Sequence, residues 1–457
     1  MPVAFPAHPF LNRLPRFQTA KSWTKLARNP SYLAPRAEDV QTPTTFAPPR
    51  LQELTRNQRL ALDAVLARPG DDAPRLAYAE QSKDDSEFIR VQLAIARERR
   101  AGTIPPIELL DRESNLLPLQ QAKWSERLAP WGATDLVFRR GWIERLTLTG
   151  RAFLSLGSAL FDSLPLHGVR LIAVKWYGDE LARCPHLERL ARLDLEGNRI
   201  GSQGLKQLSL SPFLLAVREL GLSGNQLGDG DVERLTSLPL RLLDLSHNNL
   251  TTFDGTRFTT LESLNLSGNR MKRLPALPAS LRLLNLSGCG LGPGPAISET
   301  VTELDLSFNP DGNMPARCHD RVTSLSLRGN RLADVSRLPD ALPRVRSLDL
   351  GANFFGDALG GWLARVLLNS LTSLDLTNTL LGRKGLFQLI ESGRLATLYS
   401  LNLSWNGLGD ESLMALAQCP DIRQLRSLDV TGTGIGRRGI QALQRSPYLG
   451  NLREFKS

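Results

Sequence analysis

The chain has 457 residues, a net charge of +10 and an isoelectric point near 9.8. It is too long for one ordinary globular core. It also contains no run of about 18 apolar residues, which a membrane-spanning helix would require. The four cysteines form no Cys-x-x-Cys pair, so the sequence argues against a zinc site and favours a reducing compartment.

Residues 1–50 contain many prolines and little apolar periodicity, and we predict a disordered tail there. Seven Lys or Arg residues stand against Glu38 and Asp39, so half of the positive excess lies in this segment. The tail therefore leaves open an alternative function, binding to nucleic acid or to an anionic surface. No apolar signal core is present, so we expect a cytoplasmic location. Whether residues 1–50 belong to the true start stays open.

The apolar spacing of residues 51–102 predicts three short helices. We expect the first over residues 56–67, ending before Pro69-Gly70, a second capped by Asp72, and a third capped by Asp85 or Ser86. Phe88, Leu93 and Ile95 of the third helix are expected to be buried.

The stretch ALDAVLARPGDDAPRLAYAE followed by SEFIRVQLAIAR resembles a small companion domain found at the N-terminus of many bacterial repeat proteins. The resemblance covers about 45 residues, roughly a tenth of the chain. It implies kinship with bacterial repeat proteins. It implies no chemistry, because no activity is established for that family.

Residues 103–142 are helical in pattern, and we assign them to a linker and N-terminal cap. Ile143, Leu146 and Leu148 fit the inward positions of a degenerate first repeat, and a repeat array is predicted over residues 143–448. The remaining residues 449–457 are expected to cover the last core layer.

A repeated pattern, Leu-x-x-Leu-x-Leu-x-x-Asn, dominates the rest of the chain. Clean copies are LRLLNLSGC at 281–289 and VTELDLSFN at 301–309. The final position of the pattern, here called the ladder position, recurs every 20 to 27 residues, at Asn198, Asn225, Asn248, Asn269, Cys289, Asn309, Asn330, Asn353, Thr379, Asn406 and Thr433. This period and pattern are typical of leucine-rich repeats.

The repeat predicts an α/β solenoid, in which each unit adds one short strand to a parallel sheet on the concave face. Longer units, such as GDALGGWLARVLL after Asn353, have helical spacing, and we expect α-helices on their convex side. Prolines in the shorter central units predict extended or 3₁₀ segments between Asn248 and Pro343. The chain as a whole resembles bacterial leucine-rich-repeat proteins with ribonuclease-inhibitor-like repeats.

Two polar columns are expected to face outward from the sheet. The middle residue of Leu-x-Leu forms the first, here called the aspartate column: Asp194, Gly221, Asp244, Asn265, Asn285, Asp305, Ser326, Asp349, Asp375, Asn402 and Asp429. The second, here called the serine column, contains Ser223, Ser246, Ser267, Ser287, Ser307, Thr377, Ser404 and Thr431. The columns either form a mildly acidic binding face or are consensus residues solvated by water.

Phe308 and Trp405 stand one place before the ladder residue, with His247 at the equivalent position. They are either exposed binding anchors or side chains packed on neighbouring turns. Together with the columns, they give the residues predicted to contact a partner: Asp194, Asp244, Asp305, Phe308, Asp349, Asp375, Trp405 and Asp429.

The sequence favours a non-catalytic scaffold that binds a protein partner on its concave face, acting as a monomer without cofactor or metal. The stripe of carboxylates does not favour nucleic acid there, because phosphates would be repelled. The alternative is a ubiquitin-ligase-like or other enzyme, with its chemistry outside the repeats in the N-terminal domain or at Cys318. Cys318-His319-Asp320 matches the Cys-x-Asp motif of bacterial ubiquitin ligases, although here it lies inside a repeat. Neither the partner nor its pathway can be named from the sequence.

Overall fold

The computed structural model describes residues 54–82, 84–103, 105–175, 177–271, 275–291, 299–310, 321–339 and 341–457. The chain divides into two compact units, residues 1–221 and 222–457. The predicted tail over residues 1–50 and the Cys318-His319-Asp320 motif lie outside the described residues.

The first unit begins with helices that match the predicted ones. These are α1 (Arg56–Ala67), α2 (Ala73–Gln81), α3 (Ser86–Ala101) and α4 (Ile107–Leu128). Thr55 caps α1 in a capping box with Gln58. Asp72 and Asp85 occupy the predicted cap positions, but neither side chain makes a capping hydrogen bond. Both carboxylates bind cations instead: Asp72 pairs with Arg100 and Arg140, and Asp85 with Lys123.

The helices share a core with the sheet that follows them. Phe88, Leu93 and Ile95 are buried as expected. Leu62, Val65, Tyr78, Ile89 and Leu93 pack with Trp142, and the Tyr78 and Trp142 rings meet edge to face at 4.7 Å. A residue of the first repeat therefore completes the core of the N-terminal helices.

The first unit then forms a sheet with five strands: β1 (Thr134–Arg139), β2 (Trp142–Thr149), β3 (Gly168–Ile172), β4 (Arg192–Asp194) and β5 (Glu219–Gly221). Strand β1 is antiparallel to β2 and was not predicted, whereas the later neighbours are parallel. Ile143, Leu146 and Leu148 are buried in β2, as expected. Helices α5 (Gly150–Phe161), α6 (Gly178–Ala182) and α7 (Gly201–Ser209) connect the strands.

The second unit is a regular parallel array in which consecutive strands are neighbours. Its strands are β6 (Leu242–Asp244), β7 (Ser263–Asn265), β8 (Leu283–Asn285), β9 (Glu303–Asp305), β10 (Ser324–Ser326), β11 (Ser347–Asp349), β12 (Ser373–Asp375), β13 (Ser400–Asn402), β14 (Ser427–Asp429) and β15 (Glu454–Lys456). The leucines align across the sheet, as in Leu304, Leu325 and Leu348. Phe455 of β15 pairs with Leu428, so β15 adds one more parallel strand beside β14.

Helices occur in the long repeats, as predicted, and a four-residue helix also occurs in the shorter repeat between Asn225 and Asn248. They are α8 (Asp229–Val232), α9 (Ala358–Arg365), α10 (Arg383–Glu391), α11 (Gly409–Ala417) and α12 (Arg437–Gln444). Between Asn248 and Pro343, the described residues form no α-helix and contain one 3₁₀ turn, Val335–Arg337. The other 3₁₀ segments are Ala129–Trp131, Pro185–Arg189, Pro212–Leu214, Glu233–Leu235, Arg394–Thr397 and Pro420–Gln424. No helix among the described residues is long and apolar enough to span a membrane.

Ladder asparagines join neighbouring turns through buried hydrogen bonds. Asn353 Nδ2 donates to the carbonyls of Leu350 at 2.8 Å and Leu327 at 2.9 Å. Its Oδ1 accepts from the backbone N–H groups of Asn330 and Leu332 at 3.0 and 3.1 Å. An amide can donate and accept at once, which is why Asn suits this position.

The substitutes at the ladder position keep part of this role. Thr379 Oγ1 donates to the Leu376 carbonyl at 2.9 Å, and Cys289 Sγ lies 3.1 Å from the Leu266 carbonyl. Cys184 and Cys419 are buried before a proline that begins a 3₁₀ helix, the same position that Ser211 occupies. These cysteines therefore serve as small packing residues.

Candidate binding face

The aspartate column of the second unit lies along parallel strands in strict register. Asp305 pairs with Ser326, which pairs with Asp349, followed by Asp375, Asn402 and Asp429. Neighbouring parallel strands are about 4.8 Å apart. The column therefore places several carboxylates within direct electrostatic reach of each other.

The Asp and Asn side chains of the column also cap their own turns, a role that the sequence did not reveal. The side-chain Oδ1 accepts from the backbone N–H two residues later, at 2.8 to 3.0 Å for Asp194, Asp244, Asp305, Asp349, Asp375 and Asp429. Asn265, Asn285 and Asn402 make the same bond. This geometry is an Asx turn, and the recurring Asp-x-Ser and Asn-x-Ser spacing is its sequence signal.

The serine column is not the exposed hydroxyl stripe that we predicted. Ser223, Ser246, Ser267, Ser307, Thr377 and Ser404 are buried. Ser246 Oγ donates to Ser223 Oγ at 2.9 Å, and the Ser307 and Ser326 hydroxyls are 2.7 Å apart. The chain turns inward directly after each strand, so several of these hydroxyls bond to hydroxyls of neighbouring turns instead of to water.

Arg328 occupies a serine-column position and binds two carboxylates of the aspartate column. Its guanidinium lies 3.5 Å from Asp349 and 3.6 Å from Asp375. The side chain passes over Gly351, where a methyl group would lie 2.5 Å from Arg328 Nη1. The arginine at position 328 and the glycine at position 351 are therefore sterically matched.

Burial destabilises the ionised form of several acids in the column. It raises the pKa of Asp349 to about 6, an effect that the Asp375 carboxylate strengthens and Arg328 opposes. Burial also raises the pKa of Asp305 and of its strand neighbour Glu303. The centre of the column is thus a place where negative charge is poorly compensated.

Asp244 differs from the other predicted contact residues, because it is only 2% exposed. Besides its turn-capping bond, its Oδ2 accepts from Asn265 Nδ2 at 3.2 Å. A partner on the face cannot reach this carboxylate directly, so we assign Asp244 a structural role.

Phe308 and Trp405 combine the two roles that the sequence left open. A methyl group at Gly329 would lie 2.6 Å from the Phe308 ring, and one at Gly432 would lie 2.9 Å from the Trp405 indole. The rings therefore pack over glycines of the next turn. They nevertheless remain 45% and 63% exposed.

Both aromatic residues adopt a left-handed backbone, with φ of 57° for Phe308 and 59° for Trp405. His247 does the same with φ of 53°. Glycine fills this position in other repeats, for example at Gly268 and Gly329. A bulky residue in this conformation costs about 1 kcal/mol or more relative to glycine.

Asp194 lies in the first unit, in different surroundings from the rest of the column. Its strand neighbours are Arg170 in β3 and Gly221 in β5. Arg170 pairs with Glu196 at 3.2 Å, and Arg192 pairs with Glu219 at 3.0 Å. The strand face of the first unit is therefore rich in arginine.

Within the described residues, no group of three or more His, Cys, Asp or Glu side chains is placed to hold a metal ion. The described cysteines are free and buried. Burial raises the pKa of the Cys184 and Cys419 thiols, and it raises that of Cys289 to about 11. A raised pKa disfavours the thiolate that a nucleophilic cysteine needs.

Comparison with known families supports the repeat assignment. A family model described as "Leucine Rich repeat" matches residues 183–209, 394–417 and 423–443. Protein PAC2 of Saccharomyces cerevisiae is 35% identical over 179 residues. That alignment covers 37% of this chain and 31% of PAC2, so the chain spans less than a third of that relative's length.

Solved structures with similar chains include three bacterial proteins. An internalin from Listeria monocytogenes has 16% identity and a TM-score of 0.34, with 69% of this chain and 86% of that chain covered. A leucine-rich-repeat protein from Leptospira interrogans has 18% identity and a TM-score of 0.37, with 71% and 93% covered. The effector YopM from Yersinia pestis has 17% identity and a TM-score of 0.33, with 59% and 77% covered.

The strand register, the buried ladder and the matched segments agree with one another. The chain has the α/β leucine-rich-repeat fold, with helices N-terminal to its first repeat.

Proposed function

We propose that the protein is a non-catalytic scaffold that binds a partner protein on the strand face of the second unit. Asp305, Asp349, Asp375 and Asp429 supply its charge, and Phe308 and Trp405 supply exposed apolar contacts. Asp194 lies in the first unit and is not part of this proposed site. Repeat solenoids offer extended surfaces suited to protein binding.

The uncompensated charge of the aspartate column is the observation that carries this proposal. Arg328 is shared between Asp349 and Asp375, and Lys456 reaches Asp429 only at 4.0 Å. Burial and the Asp375 carboxylate raise the pKa of Asp349, which indicates that the folded chain destabilises the ionised form of this side chain. A lysine or arginine from a partner would stabilise the ionised aspartates. A basic protein segment is therefore electrostatically complementary to this face.

The aromatic residues add a second line of support. Trp and other aromatic side chains are frequent hot spots of protein interfaces. Phe308 and Trp405 have an unfavourable left-handed backbone conformation, and much of each ring is exposed to solvent. The exposed part of each ring would gain burial, and so stabilisation, against a partner.

The test uses substitutions that remove charge and keep the turn-capping bond. Asparagine already fills the column at Asn265, Asn285 and Asn402, so Asp305→Asn, Asp349→Asn and Asp375→Asn should preserve the fold. We expect the triple variant to bind a short peptide of alternating lysine and leucine about tenfold more weakly than the parent protein, measured by calorimetry at low salt.

A matched control removes three charges elsewhere in the second unit, through Asp254→Asn, Asp334→Asn and Glu391→Gln. This variant should bind the peptide as the parent protein does. Equal losses in both variants would mean that net charge alone attracts the peptide. If the column variant binds the peptide as tightly as the parent protein, the aspartate column is not the binding site.

We further propose that the protein acts as a monomer in the cytoplasm. The free, buried cysteines are consistent with a reducing compartment. Sedimentation at increasing concentration tests the monomer: a mass above 50.4 kDa at micromolar concentration would contradict it.

A further inference from the structure

Arginines converge on the strand face of the first unit. Arg145 of β2 and Arg192 of β4 are both in register with Gly168 of the intervening strand. A methyl group at Gly168 would lie 2.9 Å from Arg192 Cβ and 3.3 Å from Arg145 Cγ. The two side chains therefore extend over the glycine from opposite sides, and Arg139 and Arg170 lie on strands of the same sheet.

Nearby carboxylates are already engaged. Glu219 pairs with Arg192 at 3.0 Å, and Glu196 pairs with Arg170 at 3.2 Å. The Asp194 carboxylate accepts from the Glu196 backbone N–H at 3.0 Å. Among the three neighbouring acids, none forms an ion pair with Arg145.

Arg145 is the group that lacks a counterion. Its Nε is buried and has no hydrogen-bond partner among the described residues. Burial, helped by the charges of Arg192 and Arg139 and opposed by those of Glu219 and Asp194, lowers the pKa of this guanidinium to about 10. A half-buried guanidinium close to two other guanidinium groups is destabilised unless an anionic group binds beside it.

The charge balance around Arg145 selects the class of ligand. Four guanidinium groups, of Arg139, Arg145, Arg170 and Arg192, stand against three carboxylates, so one positive charge remains. A carboxylate neutralises it, whereas a phosphate dianion would leave an excess of negative charge. The planar fork of an arginine also matches the two oxygens of a carboxylate.

We propose that this face of the first unit binds a carboxylate from an Asp- or Glu-bearing segment of a partner protein, with Arg145 as the receiving group. The site lies within the first unit, and its charge preference is opposite to that of the aspartates in the second unit. It does not depend on the function proposed for the second unit.

Calorimetry on the full chain tests the proposal, with a short capped peptide that carries two glutamates and its glutamine counterpart as probes. The glutamate peptide should bind about tenfold more tightly than the glutamine peptide at low salt. Arg145→Met should abolish that preference. Arg151→Met, which removes an exposed arginine of α5 in the same unit, should leave it unchanged.

Thermal melting separates a binding role from a structural one. Arg145→Met should melt at the same temperature as the parent protein or higher, because it removes an unpaired charge. A lower melting temperature with the glutamate preference intact would overturn the proposal. So would tighter binding of inorganic phosphate than of the glutamate peptide. If the Met variant does not fold, Arg145→Gln replaces it in both measurements.

Discussion

The two units use the same strand positions for different purposes. In the second unit, Asp or Asn in the middle of Leu-x-Leu caps the turn two residues later, as Asp375 does for Thr377. In the first unit, Asp194 does the same for Glu196, but Thr147 and Arg170 occupy the corresponding register positions on the two preceding strands. The first unit is instead tied together by specific ion pairs, such as that of Arg75 with Glu144 at 2.8 Å.

This difference shows what regularity does in a repeat protein. Where the turns are alike, one residue type can satisfy the same backbone groups in every turn, and the ladder and column do so. Where the first turns are irregular, the backbone groups must find hydrogen-bond partners among side chains that are far apart in sequence. The Arg75 guanidinium does this by donating to the carbonyls of Pro69, Arg139 and Arg140 as well as to Glu144.

The largest effect is expected in the first unit, from Glu144→Gln. Arg75 is fully buried, and the substitution leaves its charge without a counterion, so we expect a loss of about 3–5 kcal/mol in the free energy of unfolding. Hydrogen exchange of residues 54–149 would report it. Asp63→Asn, which breaks the exposed pair with Arg59, should change stability by less than about 0.5 kcal/mol. Similar effects of the two substitutions would mean that the buried pair is not specially important.

The second unit is expected to depend on its ladder. Asn353→Ala leaves two carbonyls and two backbone N–H groups without their buried partner, and we expect a loss of about 2–4 kcal/mol. Asn353→Thr should lose about half as much, since Thr379 and Thr433 keep a carbonyl bond at this position. Denaturant melts would measure both, and an Ala variant as stable as the Thr variant would contradict the role given to the amide.

The aspartate column should reduce stability at neutral pH. The pKa of Asp349 rises from about 3.9 in the unfolded chain to about 6 in the folded one, so the folded state binds more protons between these values. Stability from this group is therefore present below about pH 4 and is lost as the pH rises to about 6. Asp349→Asn should be more stable than the parent protein by about 1–2 kcal/mol at pH 7 and nearly equal at pH 4. An equal difference at both pH values would assign the gain to something other than charge.

The smallest effect on stability is expected from Trp405→Gly. The indole is 63% exposed, and glycine relieves the left-handed backbone at this position. We expect a change of less than about 1 kcal/mol in the free energy of unfolding, together with weaker binding of the lysine-leucine peptide. Leu403→Ala in the same repeat, at a fully buried position, should lose about 2–5 kcal/mol. A comparable loss from Trp405→Gly would make the indole a structural residue.

Local spacing predicted much of the fold. The ladder positions, the inward leucines and the helices of the long repeats follow from residues close in sequence, and the structure confirms them. The antiparallel strand Thr134–Arg139 was missed, because its pairing depends on contact with the first repeat strand. The caps at Asp72 and Asp85 were wrong in detail, because distant cations attract both carboxylates more strongly than the helix ends do.

The candidate faces were only partly predictable. The sequence predicted the positions of the aspartate column and of the aromatic residues. It did not predict that the serine column and Asp244 are buried, or that Arg328 forms ion pairs with both Asp349 and Asp375. Arg145 was not singled out either, since nothing in the sequence around it shows that its neighbours are already paired.

By itself, the sequence determined the repeat, its period and the alternation of inward and outward side chains, because strand geometry fixes these within a few residues. The tertiary structure alone decided which outward polar groups meet water and which charge lacks a counterion. Those outcomes depend on distances between groups in different turns, and such distances are set only when the turns stack.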